Sequence, residues 1–287
     1  MANTLLLKRR IKTAQNVSKT TRAMQMIAAS KLKRAQEVAL GSRPYVEKLS
    51  LLAKKLSSKI DREELHPYMK SNSSDTTLLI IFSPDKGLCG GLVTNLLREL
   101  LSFEKNNNFT FLTIGKKMEN NVLRLRKTLI ASFPFGNTLP VLEMIYPIER
   151  IINDYFLNGK VNSVKVLSTH FSSFFSQVPK IETILPLAFD YDSKTKESVS
   201  KDQAEFEMFE PKIGVLLPSL LEHYLQMSIY QHLLESFLSE QAARMFAMQN
   251  ATDNAKDIIM ELQLDYNKQR QEKITNEILD ISSGALV

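Results

Sequence analysis

The chain is 287 residues long, is 44% hydrophobic and 24% charged, and carries a formal net charge of +6. Its single cysteine, Cys89, excludes an internal disulfide bond, and no apolar run approaches the roughly 20 residues of a transmembrane helix. We therefore expect a soluble globular chain that begins at its mature N-terminus and is not inserted in a membrane.

The N-terminal segment is strongly basic. Residues 2–36 contain nine lysine and arginine residues and no acidic residue. They are Lys8, Arg9, Arg10, Lys12, Lys19, Arg22, Lys31, Lys33 and Arg34. A solvated helix face usually interleaves glutamate with lysine, whereas an unbroken basic block is typical of a surface that binds an acidic partner. Nucleic acid, anionic lipid and acidic protein loops are the candidates at this point.

The same segment predicts a long helix, because residues 1–40 contain neither glycine nor proline. Apolar or small side chains recur in steps of three and four, as in the seam of a coiled coil. The predicted seam is Leu7, Ile11, Ala14, Val17, Thr21, Met24, Ala28, Leu32, Ala35, Val38, Val46, Leu49, Leu52 and Leu56. Gly41 and Pro44 mark an expected bend, and the polar stretch 57–75 follows as a linker.

Strand-like and helix-like segments alternate in the middle of the chain. Apolar β-rich runs lie at 77–83, 109–115, 164–171 and 181–187, between helical stretches near 91–103, 116–126 and 141–158. This alternation predicts a Rossmann-like α/β domain over residues 75–190, with a mostly parallel sheet. A polar connection, residues 190–209, then leads to the last helix.

A second long helix is predicted within residues 210–287. Pro211 is suited to open this helix, and Pro218 is expected to kink or restart it. No glycine or proline occurs between Pro218 and Gly284. A strict heptad runs through Leu217, Leu220, Tyr224, Met227, Gln231, Leu234, Leu238, Gln241, Met245, Met248, Thr252, Ala255, Ile259, Leu262, Tyr266, Gln269 and Lys273.

A helix of this length needs an equally long partner. The other long helix is the N-terminal one, within residues 1–60. The expected fold class is therefore α+α/β, a long antiparallel coiled coil of the N- and C-terminal helices with an inserted Rossmann-like α/β domain. The seam turns polar after Tyr266, which indicates that the last turns outrun their partner helix and rest on another protein.

The stretch "SPDKGLCGG" at 83–91 has the look of a catalytic or phosphate-binding loop. It lacks the spacing and the Lys-Ser/Thr ending of a P-loop, and it does not fit the dinucleotide fingerprint. A cysteine nucleophile needs a basic partner, and no histidine spacing nominates one for Cys89. We expect a tight strand-to-helix turn in which Cys89 is a small packed side chain.

The four histidines give no metal motif. His223 and His232 are too far out of phase on a helix to ligate one ion, and both are expected at the surface. No catalytic, metal-binding or cofactor-binding residue is predicted. Two alternatives stay open on these residues, a coiled-coil nucleic-acid-binding or scaffold protein with a basic arm, and a Cys89 hydrolase or transferase.

Four stretches carry a resemblance to a known family. They are "TRAMQMIAASKLKRAQ" at 21–36, "DKGLCGG" at 85–91, "SEQAARMFAMQNATDNA" at 239–255 and "ELQLDYNKQRQEKITNEI" at 261–278. In order and spacing they resemble the gamma subunits of F-type ATP synthases, and the similarity runs from the first helix to "SGA" at 283–285. The resemblance implies a central rotor shaft that couples ion-driven rotation to ATP synthesis or hydrolysis and performs no bond chemistry itself.

The resemblance also implies partners and contact residues. The shaft would lie within a hexameric ring of alpha and beta subunits, with the epsilon subunit and the membrane c-ring at its foot. Such a proton-translocating complex places the chain as a peripheral protein on the cytoplasmic face of the bacterial inner membrane. Acidic beta loops would meet Arg22 and Met24, a second beta contact would use Arg270, Gln271 and Thr275, and Lys86 would touch a further subunit. The stretch 205–211 would face the rotor ring.

Overall fold

The computed structural model of the protein describes residues 2–59, 65–103, 108–187 and 210–284, with the backbone alone at residues 2, 3 and 280–284. Two compact units are formed. The first combines the residues up to Ser30 with those from Arg244 onward, and the second comprises residues 31–243.

Some of the segments singled out in the sequence lie outside the described residues. These are part of the linker (60–64), all of the connection 190–209 and residues 205–209 of the stretch 205–211.

The first unit pairs the start of helix α1 (Ala2–Ser57) with the end of helix α5 (Ile213–Gly284). Between Thr4 and Ala28, side chains are buried or half-buried at Thr4, Leu7, Ile11, Ala14, Ser18, Thr21, Gln25 and Ala28, and every other side chain is exposed. The steps alternate between three and four, which is a strict heptad.

Two predicted seam positions of this unit are wrong. Val17 and Met24 are exposed, and the seam uses the following residue in each case, Ser18 and Gln25. Apolar character predicts the wrong residue here because the heptad spacing places a polar side chain in the seam at both turns.

The heptad predicted for α5 is confirmed in this unit. Between Thr252 and Lys273, side chains are buried or half-buried at Thr252, Ala255, Ile259, Leu262, Tyr266, Gln269 and Lys273, and all others are exposed. The half-buried seam of α5 therefore continues past Tyr266 to Lys273. From Ile274 to Leu279 every side chain is exposed. Burial of the seam thus ends two seam positions later than the apolar pattern predicts.

The second unit contains the other halves of the two long helices. Helix α1 buries Leu32, Ala35, Ala39, Leu49, Ala53 and Leu56. The predicted seam residues Val38 and Leu52 are exposed, because the heptad brings their small neighbours Ala39 and Ala53 into the seam.

Hydrogen bonds within the second unit give the direction of the two helices. Ser42 Oγ donates to Gln231 Oε1 at 2.5 Å, and the Tyr45 hydroxyl lies 2.8 Å from His223 Nε2. A later residue of α1 thus meets an earlier residue of α5, and the expected antiparallel pairing is confirmed.

Both long helices continue through their prolines. Helix α1 is unbroken at Gly41 and Pro44, and Pro218 does not restart α5. Pro44 lacks the amide hydrogen that would bond the Leu40 carbonyl. The adjacent carbonyl of Ala39 accepts a 3.1 Å hydrogen bond from Gln231 Nε2, so α5 supports α1 where the proline weakens it.

A five-stranded sheet forms the centre of the second unit. In chain order the strands are β1 (Thr76–Phe82), β2 (Asn108–Ile114), β3 (Leu129–Phe133), β4 (Ser163–Phe171) and β5 (Gln177–Leu185). Their spatial order is β3-β2-β1-β4-β5, with parallel pairing except between β4 and β5. The expected Rossmann-like, mostly parallel sheet is confirmed.

Strand β3 is absent from the sequence prediction. It is five residues long, "LIASF", and none of its residues is fully buried. Its alanine and serine weaken the β-branched signal, so pairing with β2 rather than local propensity makes it a strand. The intervening helices are α2 (Leu92–Phe103), α3 (Lys116–Arg124) and α4 (Tyr146–Leu157).

One apolar cluster of the core joins the sheet to α2 and α3. Leu79 and Ile81 of β1 are fully buried and belong to the same apolar cluster as Leu96 of α2 and Met118 of α3. Ala243 of α5 joins this cluster, so the sheet and the long helix of this unit share one core.

Candidate partner-binding surfaces

The outer face of α1 in the first unit carries the basic residues. Arg22 and Met24 are exposed because they lie between the seam residues Thr21 and Gln25, and 38% of Met24 is accessible. The cations Lys8, Arg9, Arg10, Lys12 and Lys19 are exposed as well. Lys31, in the second unit, instead donates a 2.6 Å hydrogen bond to the Asn137 carbonyl.

Apolar side chains share this outer face with the cations. Leu5, Leu6, Val17, Met26 and Ile27 are all exposed. A helix that presents both arginine and methionine to solvent suits a protein partner with acidic and apolar groups better than a nucleic-acid backbone, which offers phosphate and sugar.

A groove runs beside Arg22 between the two helices of the first unit. It has a volume of about 370 Å³ and is lined by Arg22, Gln25, Met26, Ala29, Gln249, Thr252, Asp253 and Lys256. Its lining carboxylate, Asp253, lies 2.8 Å from Lys256 Nζ. The remaining positive charge of the groove is that of Arg22.

A second exposed polar group lies near the end of α5. Arg270, Gln271 and Thr275 are all exposed, and the Thr275 hydroxyl donates to the Gln271 carbonyl at 2.9 Å. Thr252 of α5 contacts Thr21, the residue before Arg22 on α1. Arg270 lies 18 residues further along α5, which is about 27 Å at about 1.5 Å per residue. Arg22 and Arg270 thus lie on two separate exposed parts of the surface of one unit.

Lys86 lies in the second unit, in the turn between β1 and α2, and its side chain is exposed. The neighbouring Asp85 anchors the turn. Asp85 Oδ1 accepts from the backbone amides of Lys116 (3.0 Å) and Phe135 (3.3 Å), and Oδ2 accepts from Gly136 (2.9 Å). Sequence reasoning overlooked this aspartate, although an acid three residues after a buried strand was the available signal.

The packed state expected for Cys89 is confirmed. Only 2% of Cys89 is exposed, and it belongs to the core cluster with Leu92 and Met118. Ser83 links the end of β1 to the start of α3. Its hydroxyl donates to the Gly115 carbonyl (3.0 Å) and accepts from the Met118 amide (3.2 Å).

The expectation of a surface position is wrong for His232 and holds only in part for His223. His223 is half-buried beside Tyr45, and the side chain of His232 is only 15% exposed, with Ser168 Oγ 3.1 Å from its Nδ1. Both lie under neighbouring elements that a helical spacing argument does not include. Among the described residues, no group of three or more histidine, cysteine or acidic side chains could hold a metal ion.

Known proteins give an independent comparison with this geometry. The sequence profile of the ATP synthase family matches residues 3–286. The ATP synthase gamma chain of Dehalococcoides mccartyi strain BAV1 is 41% identical over 99% of this chain and 99% of its own length. The chain belongs to the ATP synthase gamma-chain family. A gamma chain of Cupriavidus pinatubonensis is 38% identical, again over 99% of both sequences.

Solved structures agree with this membership. The central stalk and c-ring structure of the Tetrahymena thermophila mitochondrial ATP synthase contains a chain that is 26% identical, with a TM-score of 0.60, over 81% of this chain and 99% of its own. The rotor of the Euglena gracilis enzyme has a TM-score of 0.64 at 15% identity, over 95% and 99%, and shows the same fold.

Membership in the gamma-chain family confirms the function expected from the sequence, the central-stalk rotor subunit of an F-type ATP synthase. It does not favour the nucleic-acid-binding alternative. None of the helices in the described part of the chain is long and apolar enough to span a bilayer.

Proposed function

We propose that this chain turns within a ring of alternating alpha and beta subunits and couples proton translocation to ATP synthesis or hydrolysis in beta. The structure of the first unit supports this proposal most directly. Its two helices pack along a continuous heptad seam, and its outer face carries cations and exposed apolar side chains. An apolar surface with scattered charge suits a sleeve in which the shaft must turn, because no single strong contact dominates.

Two contact areas with beta are proposed on this unit. Arg22 and Met24 would meet acidic beta loops, and the absence of acidic residues between positions 2 and 36 supports such a partner. Arg270, Gln271 and Thr275 would form the second contact, supported by their common exposure on one stretch of α5.

The second unit would face the other partners. The exposed Lys86, held on a turn that Asp85 anchors, is proposed as a subunit contact. The epsilon subunit and the membrane c-ring are the partners proposed for this unit, in keeping with the central stalk and c-ring named for the Tetrahymena relative.

The chain is proposed to carry out no bond chemistry. In support, Cys89 is packed in the core, and the first three backbone amides of α3, which could otherwise hold a phosphate, donate to Asp85 Oδ1, the Pro84 carbonyl and Ser83 Oγ. The proposed location is the cytoplasmic face of the bacterial inner membrane, peripheral to the bilayer and held there by the complex. The bacterial sources of the gamma chains described above support this placement.

Affinity purification of the tagged full-length chain from its own cell tests the proposal. We expect two larger nucleotide-binding chains in three copies each, measured by native mass spectrometry. Recovery with nucleic acid, lost steeply with rising salt, would contradict it.

The second contact area can be tested in the purified complex. Arg270→Gln is expected to lower ATP-driven proton pumping, whereas Lys268→Gln, an equally exposed change two residues earlier, serves as the matched control. Equal effects of the two variants would contradict the assignment.

A further inference from the structure

The carboxylate of Glu235 on α5 joins several elements of the second unit. Its side chain is 11% exposed and takes hydrogen bonds from three elements. Arg43 Nε of α1 lies 2.8 Å from Oε1, Gln231 Nε2 of α5 lies 3.0 Å from Oε1, and His170 Nδ1 of β4 lies 2.5 Å from Oε2.

Further contacts on α5 extend this cluster into the sheet. Ser239 Oγ donates to the Thr169 carbonyl at 3.0 Å, and the Thr169 amide donates to Ser236 Oγ at 3.4 Å. His232, one helical turn before Ser236, lies 3.1 Å from Ser168 Oγ through Nδ1 and 3.7 Å from Glu182 Oε2 of β5 through Nε2. Glu235 and its neighbours thus join α1, α5, β4 and β5 at one place.

This arrangement is sensitive to charge. A buried carboxylate with several donors is stable only while all of its partners remain, since removing one leaves an uncompensated buried group. Three charged or titratable groups of other elements face His232 and Glu235. They are Arg43 from α1, His170 from β4 and Glu182 from β5. On α5 itself, His232 and Glu235 also influence each other.

We propose that Glu235 fastens strand β4 to both long helices of this unit, and that protonation of His232 beside it loosens this attachment. A proton on His232 would place an imidazolium on a side chain that is only 15% exposed, next to Ser168. Its nearest carboxylate oxygen would be that of Glu182, which is half-exposed and beyond hydrogen-bond distance. The charge would also compete with Arg43 and His170 for Glu235.

The sign of the effect follows from the pKa directions. Burial lowers the pKa of His232 below 6.5, an effect that Glu182 and Glu235 oppose and His170 reinforces. The opened form therefore binds the proton more tightly, so the attachment is complete above pH 6.5 and weakens as the pH falls through 6.5 toward the lowered value.

Glu235 itself stays ionised over this range. Burial alone would raise its pKa, but the hydrogen bond from Gln231 and the charges of Arg43 and His170 hold the pKa below 4.5. The hydrogen bond from His170 Nδ1 also remains in the neutral tautomer that carries its proton there. The proposed loosening is assigned to His232, whose ring lies against Ser168 and Glu182.

Hydrogen exchange of the full-length chain tests the proposal, at about pH 7.5 and about pH 5.5, on either side of an ordinary histidine pKa. After correction for intrinsic exchange, we expect amides of β4 and β5 to open about fivefold more often at the lower pH, with β1 as the internal reference. An equal increase in β1, or none in β4 and β5, would overturn the proposal.

Variants separate the two histidines. His232→Gln should remove the pH response, and His170→Gln should retain it. His223→Gln, the same substitution on the same helix outside the cluster, should also retain it. Glu235→Gln should raise β4 exchange already at the higher pH. Retention of the response in His232→Gln, or its loss in His170→Gln alone, would overturn the assignment.

A measurement on the unmodified protein covers the case in which a variant fails to fold. NMR titration of the histidine-labelled chain should give His232 a midpoint below 6.5, the ordinary value. A midpoint at or above 6.5 would overturn the proposal.

Discussion

The hydroxyl groups of Thr21 on α1 and Thr252 on α5 lie 2.7 Å apart in the seam of the first unit. Each hydroxyl also reaches a carbonyl of its own helix, that of Ser18 for Thr21 and that of Met248 for Thr252. The seam is therefore joined here by a polar contact, and apolar packing resumes at Ala28 and Ala255.

Replacing one threonine of this pair with valine should destabilise the chain by about 0.5–1.5 kcal/mol, because one hydroxyl then loses its partner across the seam. The double variant Thr21→Val/Thr252→Val should cost less than the sum of the single changes, since two apolar isosteres leave no unpaired group. Urea unfolding measures the cycle, and Thr20→Val, an exposed neighbour, is the control. Additive single effects would contradict an interhelical bond.

Met24 provides a test of the proposed contact with beta. Because Met24 is exposed and Gln25 takes the seam, Met24→Lys should leave the coiled coil intact and place a new charge against the partner. A misplaced interfacial charge costs on the order of 1–3 kcal/mol, so protons pumped per ATP should fall at least about twofold. Met24→Leu, which keeps the apolar volume, should pump normally. Unchanged coupling in Met24→Lys would contradict the assignment.

Gly115 is the most constrained glycine of the described sheet domain. Its φ is +113°, and a Cβ there would lie 1.9 Å from the Ser83 carbonyl oxygen. Gly115→Ala should therefore destabilise by about 4 kcal/mol or more, because both backbone strain and a clash oppose it.

The matched control is Gly136→Ala, which has a φ of +83° and open space around its Cβ. Strain alone should cost about 1–2 kcal/mol there. Thermal unfolding measures both, and a similar loss for the two variants would show that the contact with Ser83 does not matter.

Glu149 gives a prediction for pH. This carboxylate is 6% exposed on α4, and Gln226 Nε2 donates to both of its oxygens at 3.1 and 3.0 Å. Burial raises its pKa above 4.5, opposed by the bond from Gln226 and assisted by Glu222. A raised carboxyl pKa means that the folded state binds the proton more tightly, so stability falls as the pH rises from 4.5 through the raised value.

Glu149→Gln removes this effect and keeps an oxygen that can accept from Gln226. The variant should be more stable than the parent at neutral pH, with a difference that shrinks toward about pH 4, near the ordinary carboxyl pKa. Urea midpoints against pH measure it, and Glu143→Gln, which changes an exposed glutamate six residues earlier, is the control. A constant difference at all pH values would argue against titration of Glu149.

The architecture could be predicted because its signals are local and long. The heptad of α5 needs only the repeat of three and four, and it holds even where the seam is Gln269 or Lys273. The four long strands and the helices between them follow from apolar runs. The short strand β3 could not be found in this way, because its pairing with β2 makes it a strand.

The contact surfaces were less accessible to sequence reasoning. Basic charge pointed to α1, and all six residues nominated for contacts are exposed. Apolar character alone, however, assigned Met24 to the seam, and only the heptad phase places Gln25 inside and Met24 outside. One residue of phase turns a side chain by about 100° around the helix axis, which is enough to move it out of the seam, so composition cannot decide it.

The sequence by itself determined the two long helices, the α/β domain and the family, because periodicity and motif spacing are properties of the chain order. The tertiary structure alone decided what Asp85, His170, His232 and Glu235 do. Their partners come from elements far apart in the chain, and a carboxylate or imidazole becomes an anchor or a proton-sensitive group only when burial removes water and packing supplies the donors.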